Sequence, residues 1–280
     1  MRSLFRCGIL VLIIVSFVAI AGTAWTAGIR DTRHNLSSTA PTAPITRNIY
    51  STNVDEICVF CHTPHSALKD GSNKTPLWNH TLSTQVYSLP TGATWPNLIT
   101  TVKQPDLGSK LCLSCHDGTV AIGSLANLPG PGSTGSVFMV GVSGSGAMPP
   151  TAYGYIGINL SGTHPISVPV NNTLITAKNT ACTPGSGKYS IVYPPSDPRV
   201  KLKPTNNTYN DGSNGFLKTT PAGVNYFEGV QCASCHDPHN NNTDFLVIPG
   251  IGTGPPSKYH GTTNWSNWSA LCTACHSGPC

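Results

Sequence analysis

The sequence repeats the pattern Cys-x-x-Cys-His four times, and this repeat constrains the chain more than any other feature. Cysteines three residues apart lie on one face of a helical turn, so both thiols can bond to the same porphyrin edge. The histidine that follows can reach beneath the ring and bind the iron as an axial ligand. A single copy would also fit half of a zinc site. Four copies predict four covalently attached haem c groups, each holding an iron.

The pattern assigns the attachment residues directly. The cysteines expected to bond to the porphyrins are Cys58, Cys61, Cys112, Cys115, Cys232, Cys235, Cys272 and Cys275. The histidines expected to bind iron on the proximal side are His62, His116, His236 and His276. Each iron then needs one further ligand on the opposite, distal side if it is to be six-coordinate.

Two of the six remaining histidines repeat a second arrangement. His65 and His239 each follow a proximal histidine by three positions, with a proline directly before them. The proline ends the helical turn and favours an extended conformation for the residue before it. The second histidine is thereby turned away from the iron of the proximal histidine three residues earlier. We predict that each of these histidines binds the iron of a different haem. An exposed loop histidine is the alternative for both.

The other distal candidates differ in their surroundings. His164 lies between Thr163 and Pro165 in a rigid context that favours a distal ligand over a surface turn. His34 and His80 compete for the fourth distal position, and His80 beside Trp78 also fits an idle histidine near an aromatic anchor. His260 is the weakest candidate. Methionine is scarce, so histidine is the expected distal ligand. A haem iron with histidine on both sides has a lower reduction potential and no open coordination position for a substrate.

Residues 1–27 predict an export signal peptide. Arg2 and Arg6 form a positive start, an apolar run covers residues 8–21, and small residues suited to cleavage follow. The apolar run is too short for a confident membrane span. We expect an exported protein, extracellular or at the cell surface, with the periplasm as the alternative location and no stable membrane span.

Two cysteines of the exported chain, Cys182 and Cys280, lie outside the repeated pattern. An even remainder in an oxidising compartment favours a disulfide between them. Two free thiols or a bridge between molecules are the alternatives.

The composition predicts a mostly irregular fold in which haem groups form much of the core. Only 10% of the residues are charged, while the chain contains 28 glycines and 24 prolines. We expect one tetrahaem cytochrome c domain over residues 28–280, with short helices at the motifs and a loop-and-strand insertion at about 118–231. Short strands are expected at 137–142, 153–160, 164–170 and 189–193. The net charge of +5, offset by haem propionates, implies no face for nucleic acid.

These motifs resemble the paired-CxxCH multihaem c-type cytochrome family. The stretches that carry the resemblance are residues 58–65, 76–79, 113–119, 164–166 and 235–239. Within that family the chain resembles the exported tetrahaem cytochromes that polymerise into extracellular nanowire filaments. The resemblance runs from His34 to His276, although the segment between residues 117 and 231 matches mainly through His164.

The resemblance implies a head-to-tail homopolymer that carries electrons over long distances to redox partner proteins or extracellular acceptors. In such filaments a histidine of one subunit binds a haem of its neighbour. His34 lies on an N-terminal segment with little apolar sequence to hold it, so we expect a mobile arm that can supply this ligand. A monomeric periplasmic electron shuttle is the alternative. A multihaem reductase of a small oxyanion is less favoured because all four motifs end in histidine. The chain is therefore expected not to be an enzyme.

Overall fold

The computed structural model describes residues 28–39, 47–68, 77–93, 98, 100–128, 136–221, 223–248 and 270–280. Short elements joined by long irregular segments make up this part of the chain. The helices are α1 (Leu107–His116), α2 (Asn172–Ala181), α3 (Cys232–Cys235) and α4 (Ala270–Thr273), with 3-10 turns at Ile29–Asp31, Cys58–Phe60 and Thr243–Phe245. The strands are β1 (Tyr50–Ser51), β2 (Met139–Val140), β3 (Val168–Pro169), β4 (Tyr189–Ile191), β5 (Lys203–Thr205), β6 (Leu217–Thr219), β7 (Asn225–Val230) and β8 (His276–Pro279).

The largest sheet lies in the central segment and is built around β7. Strands β3, β5 and β6 all pair with β7 in antiparallel register. Apolar side chains from this region form a buried cluster of Val102, Val168, Val170, Leu174, Leu202 and Tyr209. Strand β7 ends at Val230, directly before Gln231 and Cys232. The third motif therefore begins one residue after the central strand of a packed sheet.

Helix α2 packs beside this sheet through Leu174, which belongs to the same cluster. The helix begins after Asn171, whose side-chain oxygen accepts a hydrogen bond from the Leu174 N–H at 2.9 Å. This contact is a helix N-cap and satisfies one of the free N–H groups of the first turn. The helix ends at Ala181, and the next residue, Cys182, forms a disulfide with Cys280. The predicted disulfide is therefore confirmed.

The N-terminal segment 28–39 is held on its own chain by polar groups. Asn35 and Ser37 are fully buried. The guanidinium of Arg47 donates to the carbonyl oxygens of both residues at 3.0 Å, and the Ser38 N–H donates to the Val54 carbonyl at 2.7 Å. The expectation of a mobile arm is wrong for these residues, because hydrogen bonds supply the attachment that apolar sequence does not.

The short elements agree only in part with the sequence-based predictions. Strands at 139–140, 168–169 and 189–191 lie inside predicted segments, and the second motif lies on a helix as expected. The predicted strand at 153–160 is wrong: Gly154 and Gly157 adopt φ of 89° and 75°, which breaks an extended run into turns. Helix α2 was not predicted. The signal peptide at 1–27 and His260 lie outside the described residues.

The hydrophobic clusters of the described residues are small and separate. Besides the cluster at the sheet, one contains Tyr87, Leu113 and Leu160, and another contains Val200, Ile248 and Ala274. No helix within the described ranges is long and apolar enough to cross a membrane.

Candidate haem sites and axial histidine pairs

Each motif lies at a short helical turn that ends at or near its histidine. In the first and third motifs the N–H groups of His62 and His236 donate to the carbonyls of Cys58 and Cys232, at 2.7 and 3.0 Å. These i to i−4 hydrogen bonds close one helical turn around each cysteine pair. The second motif lies at the end of α1, and the fourth spans the end of α4. Closing the turn brings the two thiols of a motif to the same side, as attachment to one porphyrin requires.

Cysteines of successive motifs lie close together. Cys232 and then burial raise the pKa of Cys112, and the Cys232 N–H donates to the Ser109 hydroxyl one turn before Cys112 at 3.1 Å, so the second and third motifs are adjacent. Burial and then the neighbouring Cys61 raise the pKa of Cys115, so the first and second motifs are adjacent. Burial and then Cys275 raise the pKa of Cys235 to about 12, which links the third motif to the fourth. Each motif therefore has a cysteine near a cysteine of the next motif.

Three pairs of imidazole rings each join a motif histidine to a histidine from elsewhere in the chain. The ring centres of His62 and His239 are 6.1 Å apart, those of His116 and His34 are 5.9 Å apart, and those of His276 and His164 are 6.4 Å apart. Two imidazoles on opposite sides of one metal ion have centres about 6 Å apart, since each metal–nitrogen bond is roughly 2 Å and the ring centre lies ~1 Å beyond. All three pairs match this separation.

Backbone and carboxylate oxygens orient these rings. The Nδ1–H groups of His116 and His236 donate to the carbonyls of Gly154 and Asp244, both at 2.7 Å. Similar contacts at Nδ1 join His164 to the Pro165 carbonyl at 2.9 Å, His276 to the Ser190 carbonyl at 3.2 Å, and His239 to the Asp237 carboxylate at 3.2 Å. A neutral histidine that donates from Nδ1 carries its lone pair on Nε2, and such an outer hydrogen bond is usual for metal-binding histidines.

His34 is held in a neutral form between aromatic neighbours. Its ring stacks on Phe245, with centres 4.2 Å apart and planes 18° from parallel. Burial, followed by the nearby His116, lowers the pKa of His34 to about 4. The buried Nδ1 of His34 has no hydrogen-bond partner. A neutral imidazole with an unsatisfied buried nitrogen has the chemistry of a metal ligand.

The other candidates are placed differently. His80 is fully buried, with its two ring nitrogens 2.8 and 3.0 Å from the carbonyls of Thr81 and Ala121. His65 and His236 are exposed, and neither joins an imidazole pair within the described part of the chain. The structure thus brings His34, His164 and His239 to motif histidines, and it leaves His65 and His80 outside such pairs.

Several residues that support the histidines were missed from the sequence. Gly154 allows the backbone to approach His116, since a Cβ at this position would lie 3.3 Å from the ring. Asp244 and Phe245 hold His236 and His34, and both adopt positive φ angles, of 53° and 58°. The glycine in Tyr153-Gly154-Tyr155 was a signal of close approach. No pattern in the sequence indicated the turn at Asp244.

No protein-family model matches the chain, and no curated protein matches it. Among the described residues, no group of three or more histidine, cysteine, aspartate or glutamate side chains could hold a metal ion. A haem iron needs only two axial ligands from the protein, because the porphyrin supplies the other four. The imidazole pairs therefore test whether these residues fit haem. The separations of their ring centres fit two axial ligands of one haem iron.

Proposed function

We propose that the protein is a tetrahaem c-type cytochrome that carries electrons through closely spaced, bis-histidine haems. The three imidazole pairs carry this proposal. In each pair the ring centres of a motif histidine and a second histidine lie at the separation expected for two ligands of one metal ion. The cysteines of the four motifs supply the covalent attachment, and haem, when bound, supplies the iron that changes oxidation state.

The pairs give a ligand assignment for three of the four irons. His239 serves the iron of His62, His34 that of His116, and His164 that of His276. The remaining proximal histidine is His236. Since His239, three residues after His236, faces the first motif, the reciprocal assignment gives His65, three residues after His62, to the iron of His236.

The histidine pairs at three of the four irons support an electron carrier over a reductase, because an iron with two histidine ligands has no coordination position left for a substrate. The closeness of cysteines from successive motifs supports transfer between the haems of neighbouring motifs. The oxygens that accept hydrogen bonds from the rings act by orienting the ligands.

The resemblance to filament-forming cytochromes supports an exported, head-to-tail polymer, because a contact that does not close on itself yields a filament. His34 faces a histidine of its own chain, so the ligand shared between subunits in such a filament is more readily supplied by the exposed His65. A monomeric shuttle would use the same four haems with His65 bound within its own chain.

The first experiment is an intact-mass measurement of the exported protein together with its absorption and electron paramagnetic resonance spectra. We expect four covalent haems and low-spin iron in all of them. Replacing both Cys112 and Cys115 with alanine should remove one haem. Fewer than four haems in the mature wild type contradicts the proposal. Negative-stain electron microscopy of the secreted material separates the filament from the monomeric shuttle.

A further inference from the structure

Gln231 directly precedes the third motif and is a buried carboxamide, with 1% of its surface exposed. Its Oε1 accepts hydrogen bonds from the Ser109 N–H and the Ser167 hydroxyl, both at 3.1 Å, and from the Ser109 hydroxyl. Its Nε2 donates to the Asp106 carboxylate at 2.7 Å and to the Pro204 carbonyl at 3.1 Å. Both ends of the carboxamide are therefore fully engaged with residues far away in the sequence.

Ser109 connects this carboxamide to both neighbouring motifs. It lies on α1, the helix that carries Cys112, and its side chain is fully buried. Its hydroxyl also accepts a hydrogen bond from the Cys232 N–H at 3.1 Å. One serine thus contacts the first residue of the third motif while it stands one helical turn before the first cysteine of the second motif.

The network extends from the helices into the central sheet. The Asp106 carboxylate accepts a hydrogen bond from the Thr205 hydroxyl at 2.9 Å, and Thr205 is the last residue of β5. The Asp106 N–H in turn donates to the Ser167 hydroxyl at 3.0 Å. Hydrogen bonds have a preferred length and direction, so this network favours one relative position of α1, α3 and the sheet. Apolar contacts are not directional and would constrain that position less.

The backbone beside the network is strained. Leu107 and Ser167 adopt φ of 36° and 56°, in the left-handed region that favours glycine. Such conformations persist only where the surroundings over-determine them, and they concentrate at functional sites. Here the strained residues flank the polar groups that hold α1 against α3.

We infer that Gln231 is a positioning residue which, through Ser109, sets the distance and orientation between the haems of the second and third motifs. This inference rests on the proposed function. Cys232 directly follows Gln231, and Cys112 lies one helical turn after Ser109 on α1, so the network adjoins an attachment cysteine of each of the two motifs. Transfer between two haems depends steeply on their separation, so a network that locks these two helices together controls one step of the electron path.

The test compares Gln231→Ala with Asn171→Ala in the haem-loaded protein. Asn171 is the matched control, because it is also a buried carboxamide, and its three side-chain hydrogen bonds go to Leu174 and to the turn at 213–214, all outside the motifs. The readout is the circular dichroism couplet of the haem Soret band, which reports the distance and orientation of neighbouring haems. Reduction potentials are measured alongside.

We expect Gln231→Ala to keep four low-spin haems but to lose couplet amplitude and to shift the potentials of two haems. Asn171→Ala should lower stability and leave the couplet unchanged. If Gln231→Ala fails to load four haems, Ser109→Ala decides, since it removes only one hydroxyl from the same network. An unchanged couplet with unchanged potentials in Ser109→Ala, or in a fully loaded Gln231→Ala, overturns the inference. A wild type with fewer than four haems contradicts the proposed function instead.

Discussion

The imidazole ring centres of His62 and His239 lie 6.1 Å apart, and the planes of the two rings are 14° from parallel. His62 belongs to the first motif, and His239 follows the third motif across Pro238. The pair therefore connects two motifs that are not consecutive in the sequence. The proline before His239 makes this possible because it directs the ring away from His236, the histidine of its own motif.

Replacing His239 with alanine tests this relationship. We expect one of the four irons, the one bound by His62, to lose its sixth ligand, become high-spin and bind carbon monoxide. The side chain of His239 is 63% exposed, so the free energy of unfolding should change by no more than about 0.5 kcal/mol apart from the lost ligand bond. Electron paramagnetic resonance and carbon monoxide titration measure the effect. Four low-spin irons in this variant would falsify the pairing.

His65→Ala is the companion experiment and distinguishes a ligand within the chain from one supplied by a neighbour. If His65 serves the iron of His236 in its own chain, the isolated monomer of the wild type has four low-spin irons and the variant has three. If His65 serves a neighbour, the wild-type monomer itself has one high-spin iron, which becomes low-spin on polymerisation. Spin state is measured against protein concentration. A variant identical to the wild type at every concentration removes His65 from the assignment.

His34 and His80 can be separated in the same way. His34→Ala should leave the iron of His116 without its distal ligand, because the two rings lie 5.9 Å apart. His80→Ala should keep every iron low-spin and cost about 1–3 kcal/mol of stability, because it removes a buried polar side chain from its carbonyl contacts. Urea unfolding and spectroscopy on both variants give the comparison. The reverse outcome, with a high-spin iron only in His80→Ala, makes His80 the ligand.

The choice between His34 and His80 shows where sequence reasoning ends. The attachment turns and the direction of His239 follow from local spacing and from proline geometry, and the structure agrees with both. The environment of His80 depends on the carbonyl of Ala121, which is distant in sequence, and no local pattern reveals it. Whether any of these histidines binds iron stays a prediction.

Helix α2 illustrates a different limit. Its sequence, which starts at Asn172, has β-branched residues at many positions and a weak apolar stripe, so periodicity did not identify it. The cap residue Asn171 was a local signal, but the helix is stabilised mainly by the packing of Leu174 into the sheet cluster. The prediction of a mobile N-terminal arm was wrong for a related reason, because hydrogen bonds to Asn35 and Ser37 replace apolar contacts.

Phe245 is expected to hold the distal ligand His34 in place. Its ring stacks on the imidazole at 4.2 Å, an interaction worth about 0.5–1.5 kcal/mol for such ring pairs. Phe245→Ala should weaken the bond between His34 and iron, so that the iron of His116 shows a mixture of spin states. Phe138→Ala is the control, because that residue is 62% exposed and, within the described part of the chain, the ring contacts of His34 are with His116 and Phe245. Equal spectra in the two variants argue against the role of Phe245.

The disulfide between Cys182 and Cys280 should stabilise the fourth motif in particular. It joins the end of α2 to the end of the chain, across a sequence separation of 98 residues, and β8 pairs with β4 beside it. Closing a loop of this length contributes at most about 4–5 kcal/mol through the unfolded state, and haem attachment within the loop reduces that figure.

The double variant Cys182→Ser with Cys280→Ser tests this role without leaving a free thiol. We expect four haems to remain attached, the urea midpoint to fall, and amide hydrogens at residues 270–280 to exchange faster than in the wild type. Exchange at α1 is the internal control, because the helix lies at the second motif and the disulfide does not touch it. Faster exchange at α1 and at 270–280 alike means that the disulfide stabilises the whole fold. Unchanged exchange at 270–280 means that the pairing of β4 with β8 holds the fourth motif by itself.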